Sequence, residues 1–88
     1  MSYLSFEYDP QQIVPVIASF DTDGHVVPLY VRIGGTSYRI ISQWTPDRGI
    51  YSGVTEYNCK LAVGDFERPL LLKFYSRENT WTIPADNS

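Results

Sequence analysis

Two turn dipeptides, Asp23-Gly24 and Gly34-Gly35, interrupt a stretch in which apolar residues recur at every second position. Such pairs supply the positive φ that closes a tight hairpin, and a period of two places alternate side chains on one face of a pleated strand. Residues 20 to 44 therefore read as two β-hairpins sharing a central strand, and the fold class follows: an all-β, small antiparallel meander.

The flanking segments extend the pattern. The run from Ile13 to Phe20 is β-branched and aromatic, which suits a strand. Pro15 cannot donate to a ladder, so this strand is expected at a sheet edge, or with Pro15 near its start. In the next strand Val27, Leu29, Val31 and Ile33 form the expected inward set, with Val26, Pro28, Tyr30 and Arg32 outward. Across Gly34-Gly35 the inward set becomes Tyr38, Ile40 and Trp44, with Arg39, Ile41 and Gln43 opposite. Thr45 to Gly49 is a loop of turn formers, and Ile50 to Gly53 a bulged strand or surface loop. Val54 to Val63 is a strand with Tyr57, Cys59, Leu61 and Val63 inward. Gly64 to Pro69 reads as a longer turn before a strand carrying Leu70, Leu72 and Phe74 inward. Arg77-Glu78-Asn79 is a tight turn, and Thr80 to Ile83 the closing strand.

Six strands at spacings of roughly 8–12 residues, with no helical period and no repeat, predict an SH3-like or related barrel. Eighty-eight residues make one domain, 1–88, with an N-terminal arm over 1–10 and a flexible tail over 84–88. Leu4, Phe6 and Tyr8 alternate within the arm. Leaving three such side chains in water forgoes roughly 1.5–3 kcal/mol each, so the arm is expected to pack on the domain or to mediate self-association.

Charge and chemistry narrow the function classes. Seven basic against ten acidic residues leave a net charge of −3, which opposes sequence-independent binding of a polyanion. Residues 25 to 63 nevertheless carry Arg32, Arg39, Arg48 and Lys60 against only Asp47 and Glu56. The alternation puts Tyr30, Arg32, Arg39, Lys60, Lys73 and Tyr75 on the outer face. Basic residues interleaved with aromatics are what single-stranded nucleic-acid binders use; an ordinary solvated face with cross-strand pairs to Glu56 and Glu78 is the simpler reading.

His25 is the only imidazole, set in a hairpin where a nearby carboxylate could orient it, and no nucleophile accompanies it. Cys59 falls on an inward set, as a core residue rather than a reactive thiol. Asp21 and Asp23 lack the further oxygens of a calcium loop and read as turn formers. One Cys and one His give no zinc-ligand spacing, so no metal and no cofactor are expected. The opening residues lack the basic start and apolar run of a secretory leader, and no stretch approaches a membrane span. With an unpaired cysteine, the expectation is a cytoplasmic setting.

Several segments carry a resemblance: Phe20-Asp21, Gly24, Pro28-Leu29-Tyr30, Tyr38-Arg39-Ile40, Tyr57-Asn58-Cys59-Lys60, and Leu71-Leu72-Lys73-Phe74 followed by Trp81. Over roughly residues 16 to 83 the chain resembles a group of small all-β proteins of Firmicutes bacteria, a domain of unknown function. It departs from that pattern at Glu56-Tyr57, where an Arg-Tyr pair is expected, and in its longer turn from Asp65 to Pro69. Some of those genes lie beside lesion-bypass DNA polymerases, so the resemblance implies an accessory role in DNA repair. It assigns no functional residue.

The sequence thus leads to a non-enzymatic interaction module whose partner is a protein, including a second copy of the chain, with no membrane partner. The edge over Ile13 to Phe20 and the arm are its expected surfaces. Nucleic-acid binding through the outer Tyr/Arg/Lys face is the alternative.

Overall fold

The computed structural model describes residues 11–85. The expected arm residues Leu4, Phe6 and Tyr8 and the last residues of the tail lie outside that range. The described residues form eight strands: β1 (Gln11–Ile13), β2 (Val16–Phe20), β3 (Val26–Ile33), β4 (Thr36–Trp44), β5 (Ile50–Tyr51), β6 (Val54–Val63), β7 (Phe66–Tyr75) and β8 (Thr80–Pro84). Every pairing is antiparallel, in the order β1-β8-β7-β6-β4-β3-β2, with the short β5 folded back on β6. The all-β antiparallel meander read from the sequence is the architecture.

Pro15 organises the curl of the sheet. The segment read as one strand is two, β1 and β2, which meet at Val14-Pro15 and pair with opposite ends of the sheet. Val14 N donates to Trp81 O on the β8 side, whereas Arg32 N donates to Pro15 O on the β3 side, each at 3.0 Å. Lacking an N–H, Pro15 makes half a ladder pair at the handover. Val14, only 3 % exposed, fills the core at this junction.

Two register shifts correct the expected inward sets. Ile17 pairs with Tyr30 but Ala18 with Pro28, so Leu29 is an extra residue in β3. Parity therefore inverts before it: Pro28, expected outward, is fully buried, and Leu29, expected inward, is exposed. In β4, Ile40 pairs with Leu61 and Ser42 with Lys60, leaving Ile41 as the extra residue. Gln43 then faces inward opposite Cys59, and Trp44, expected in the core, is 61 % exposed. One inserted residue moves everything beyond it to the other face.

The β6–β7 hairpin also differs from expectation. Its turn is only Gly64-Asp65, Gly64 taking positive φ, and Phe66 to Pro69, read as loop, continues β7 in register with β6 from Phe66↔Val63 onward. Pro69 is tolerated because the β7–β8 ladder is confined to Lys73–Tyr75, leaving one side of β7 free over its first half. At the chain's far end, Pro84 belongs to β8 and pairs with Gln11 rather than starting the tail.

Along β6 and the second half of β7 the alternation holds, whereas in β8 Thr82 is buried along with Trp81 and Ile83. Tyr57, Cys59 and Leu61 of β6, Leu70, Leu72 and Phe74 of β7, and Trp81 and Ile83 of β8 form the core with Val31 and Ile40. The Tyr57 hydroxyl donates to Val26 O at 2.9 Å, tying β6 to β3 across the sheet and satisfying the one polar atom of a buried ring. Trp81 packs between Tyr57 and Phe74, with ring centroids 5.7 and 4.5 Å away.

Candidate interaction surface

The outer edge of β2 is built by the Pro15 handover. Hydrogen bonds Arg32 N to Pro15 O and Asp21 N to His25 O show that the odd-numbered residues of this segment direct their backbone groups at β3. By strand alternation Val16, Ala18 and Phe20 direct theirs the other way. β8 begins only at Thr80 and takes the chain up to Val14, so no described strand lies beside β2 on that side. An opening of about 460 Å³ remains there, bordered by β2, Ile13, Val14 and Trp81. Along it Ile13, Ile17 and Phe20 are 73, 64 and 62 % exposed. An unpaired ladder edge beside exposed apolar side chains is what strand addition uses.

The outer-face residues fall into three cross-strand neighbourhoods. On β3 and β4, Tyr30 lies opposite Arg39 and Arg32 opposite Ser37, and Ile17 of β2 extends the first row. No carboxylate among the described residues pairs with either arginine. Lys60 lies 3.8 Å from Glu67, an exposed pair. Lys73 stands opposite Glu56 with their charged atoms 3.9 Å apart, in a half-buried group that also holds Tyr51, whose hydroxyl donates to Glu56 at 2.9 Å. Burial, then the Glu56 hydrogen bond, push Tyr51 up to about 12. Tyr75 borders this group, opposite Val54. The cross-strand pairing to Glu56 was legible in the sequence; Glu67 takes the role expected of Glu78, because Glu67 is strand rather than turn.

The β2–β3 hairpin gathers Asp21, Asp23 and His25, with ligand atoms all within 4.8 Å of one another and all three exposed. Asp21 Oδ1 accepts from Asp23 N and His25 N at 2.9 and 2.8 Å, and Oδ2 lies 3.2 Å from His25 Nδ1. Both oxygens thus brace the turn. The His25 backbone hydrogen bond is the main reason the Asp21 carboxyl sits below its ordinary 3.8. Because the folded value is depressed, this brace contributes fully above the unfolded value and is lost as pH falls through the folded one. The His25 amide resonance is expected to titrate with a midpoint below 3.8; a midpoint at or above it would remove the brace.

A groove of about 540 Å³ lies on the outer face, between Trp44, Leu71, Pro69 and Pro84. Sequence reasoning missed it because it depends on the bulge that turns Trp44 outward. Cys59 is buried, and burial raises its thiol to about 12. No described helix is long and apolar enough to cross a membrane. Compared with protein-family models, with curated proteins and with solved structures, the chain finds no match.

Proposed function

We propose that the protein is a non-enzymatic interaction module that takes an extended protein segment as an added strand along β2. The observation that carries this is the edge of Val16, Ala18 and Phe20, which no described strand pairs, beside exposed Ile13, Ile17 and Phe20. Backbone hydrogen bonds would supply the affinity and the apolar side chains the register. Of the titratable groups that come together, the Asp21 carboxylate and the His25 ring already brace their own turn, which favours binding over catalysis.

Ala18→Pro tests the reading. It removes an N–H that points away from β3, so the β2–β3 ladder stays whole while the free edge is blocked. Peptides selected on the wild-type chain from a display library are expected to lose at least tenfold in affinity for the variant, at unchanged thermal midpoint. Peptides that bind both equally would sink the proposal. A second reading, single-stranded nucleic acid on Tyr30, Arg32 and Arg39, is favoured by the absence of described carboxylates beside the two arginines, and predicts retention on single-stranded DNA that Arg32→Glu abolishes.

A further inference from the structure

We infer that the segment received by β2 is β2 of a second copy, paired antiparallel about a twofold axis at Ala18. This rests on the edge reading above and adds the partner and its register. With Ala18 opposite itself, Val16 meets Phe20 of the second copy, Ile17 meets its Ser19, and Pro15 meets its Asp21. The residues that exchange hydrogen bonds are then Val16, Ala18 and Phe20, the ones whose backbone groups face the open side.

Two independent features favour this register. The first is apolar fit. Val16 and Ala18 pack against the core, so the even-numbered residues face inward, and Phe20 of the second copy lies beside Val16, over the opening toward Trp81. A phenylalanine that is 62 % exposed in the single chain thereby covers the gap left by the Pro15 handover, once in each copy.

The second is charge. The two ends of β2 are electrostatically unlike: Arg32 flanks Pro15 at one, and Asp21 and Asp23 follow Phe20 at the other. Antiparallel pairing brings each basic end to an acidic end. Asp21 of the second copy falls beside Pro15 on the outer face, two strand spacings, about 10 Å, from Arg32, so that its carboxylate attracts the arginine while staying braced on its own turn. Parallel pairing would set like ends together, so the charges select the orientation as well as the partner.

The register makes a covalent test available. Ile17 and Ser19 of the second copy form a non-hydrogen-bonded pair with Cα atoms about 4.5 Å apart, inside the range a disulfide spans. Both are exposed, and the native Cys59 is buried and does not interfere. The full-length double variant Ile17→Cys/Ser19→Cys is expected to oxidise to a covalent dimer under native conditions, while neither single variant does so. By light scattering the wild type is expected to be a dimer, and Arg32→Glu to weaken it by about tenfold, with the loss shrinking at high salt. A wild-type monomer at about 1 mM, weaker than the weakest specific pairing worth the name, would overturn the inference, as would cross-linking no faster in the double variant than in the singles. If selected peptides still depend on Ala18 in that case, the edge remains a binding site and only the second copy is excluded.

Discussion

Replacing Trp81 by alanine is expected to cost about 3–5 kcal/mol of folding stability, whereas replacing Trp44 by alanine should cost within about 0.5 kcal/mol. Trp81 is 7 % exposed and wedged between Tyr57 and Phe74, so its removal leaves a cavity that two large rings on different strands cannot collapse to fill. Trp44 is 61 % exposed on the outer face. A chain of this length has about 4–13 kcal/mol in total at 0.05–0.15 kcal/mol per residue, so the first change takes a large share and the second almost none. Urea unfolding followed by circular dichroism reads both, the Trp81 midpoint dropping by more than about 1 M for a slope of 1–3 kcal/mol/M. Equal losses would place Trp44 in the core and remove the bulge at Ile41.

That contrast shows which parts of the fold are legible in the sequence. The β6–β7 ladder is unbroken, and the alternation of β6 and of the second half of β7 names the core residues correctly. β3 and β4 each carry one extra residue, and a period-2 reading has no means to place it: Val26-Val27-Pro28-Leu29 and Ile40-Ile41 are apolar on both parities, so either face can be taken as inward. Pro28, which cannot donate to a ladder, sits next to the irregularity, but the extra residue is Leu29. The turn at Gly64 was overread because Pro69 looked like a loop former, when it stands on a stretch of β7 with one free side. For the candidate site, Pro15 within an apolar strand predicted either an edge or a strand starting at Pro15, and β2 begins just after it as the last strand in the sheet order. What the sequence could not reveal is that the segment's two halves pair with opposite ends of the sheet, since that depends on contacts with residues 26–33 and 80–84 at once.

Cys59 supplies the second large effect. Native labelling by iodoacetamide at pH 8 is expected to run at least a thousandfold slower than in denaturing urea. The thiol is 3 % exposed, and burial pushes it from 9.0 up to about 12, which alone lowers the reactive thiolate roughly a thousandfold. Cys59 is paired with Gln43 on one side and Leu70 on the other, so freeing it means parting β6 from β4 and β7 together. Labelling then reports global unfolding, and Trp81→Ala should accelerate it by about a hundredfold or more, at one decade per 1.4 kcal/mol. An unchanged rate in that variant would instead show a local opening. The same burial sets an alkaline limit. The folded chain retains a thiol proton that the unfolded chain releases above 9, so this contribution is whole below 9 and is lost as pH climbs toward 12. Tyr51 and Tyr57, both also raised chiefly by burial, act in the same direction from about 10 upward. Cys59→Ala should therefore flatten the fall in urea midpoint between pH 9 and 10 and leave the steeper decline beyond it, which belongs to the tyrosines.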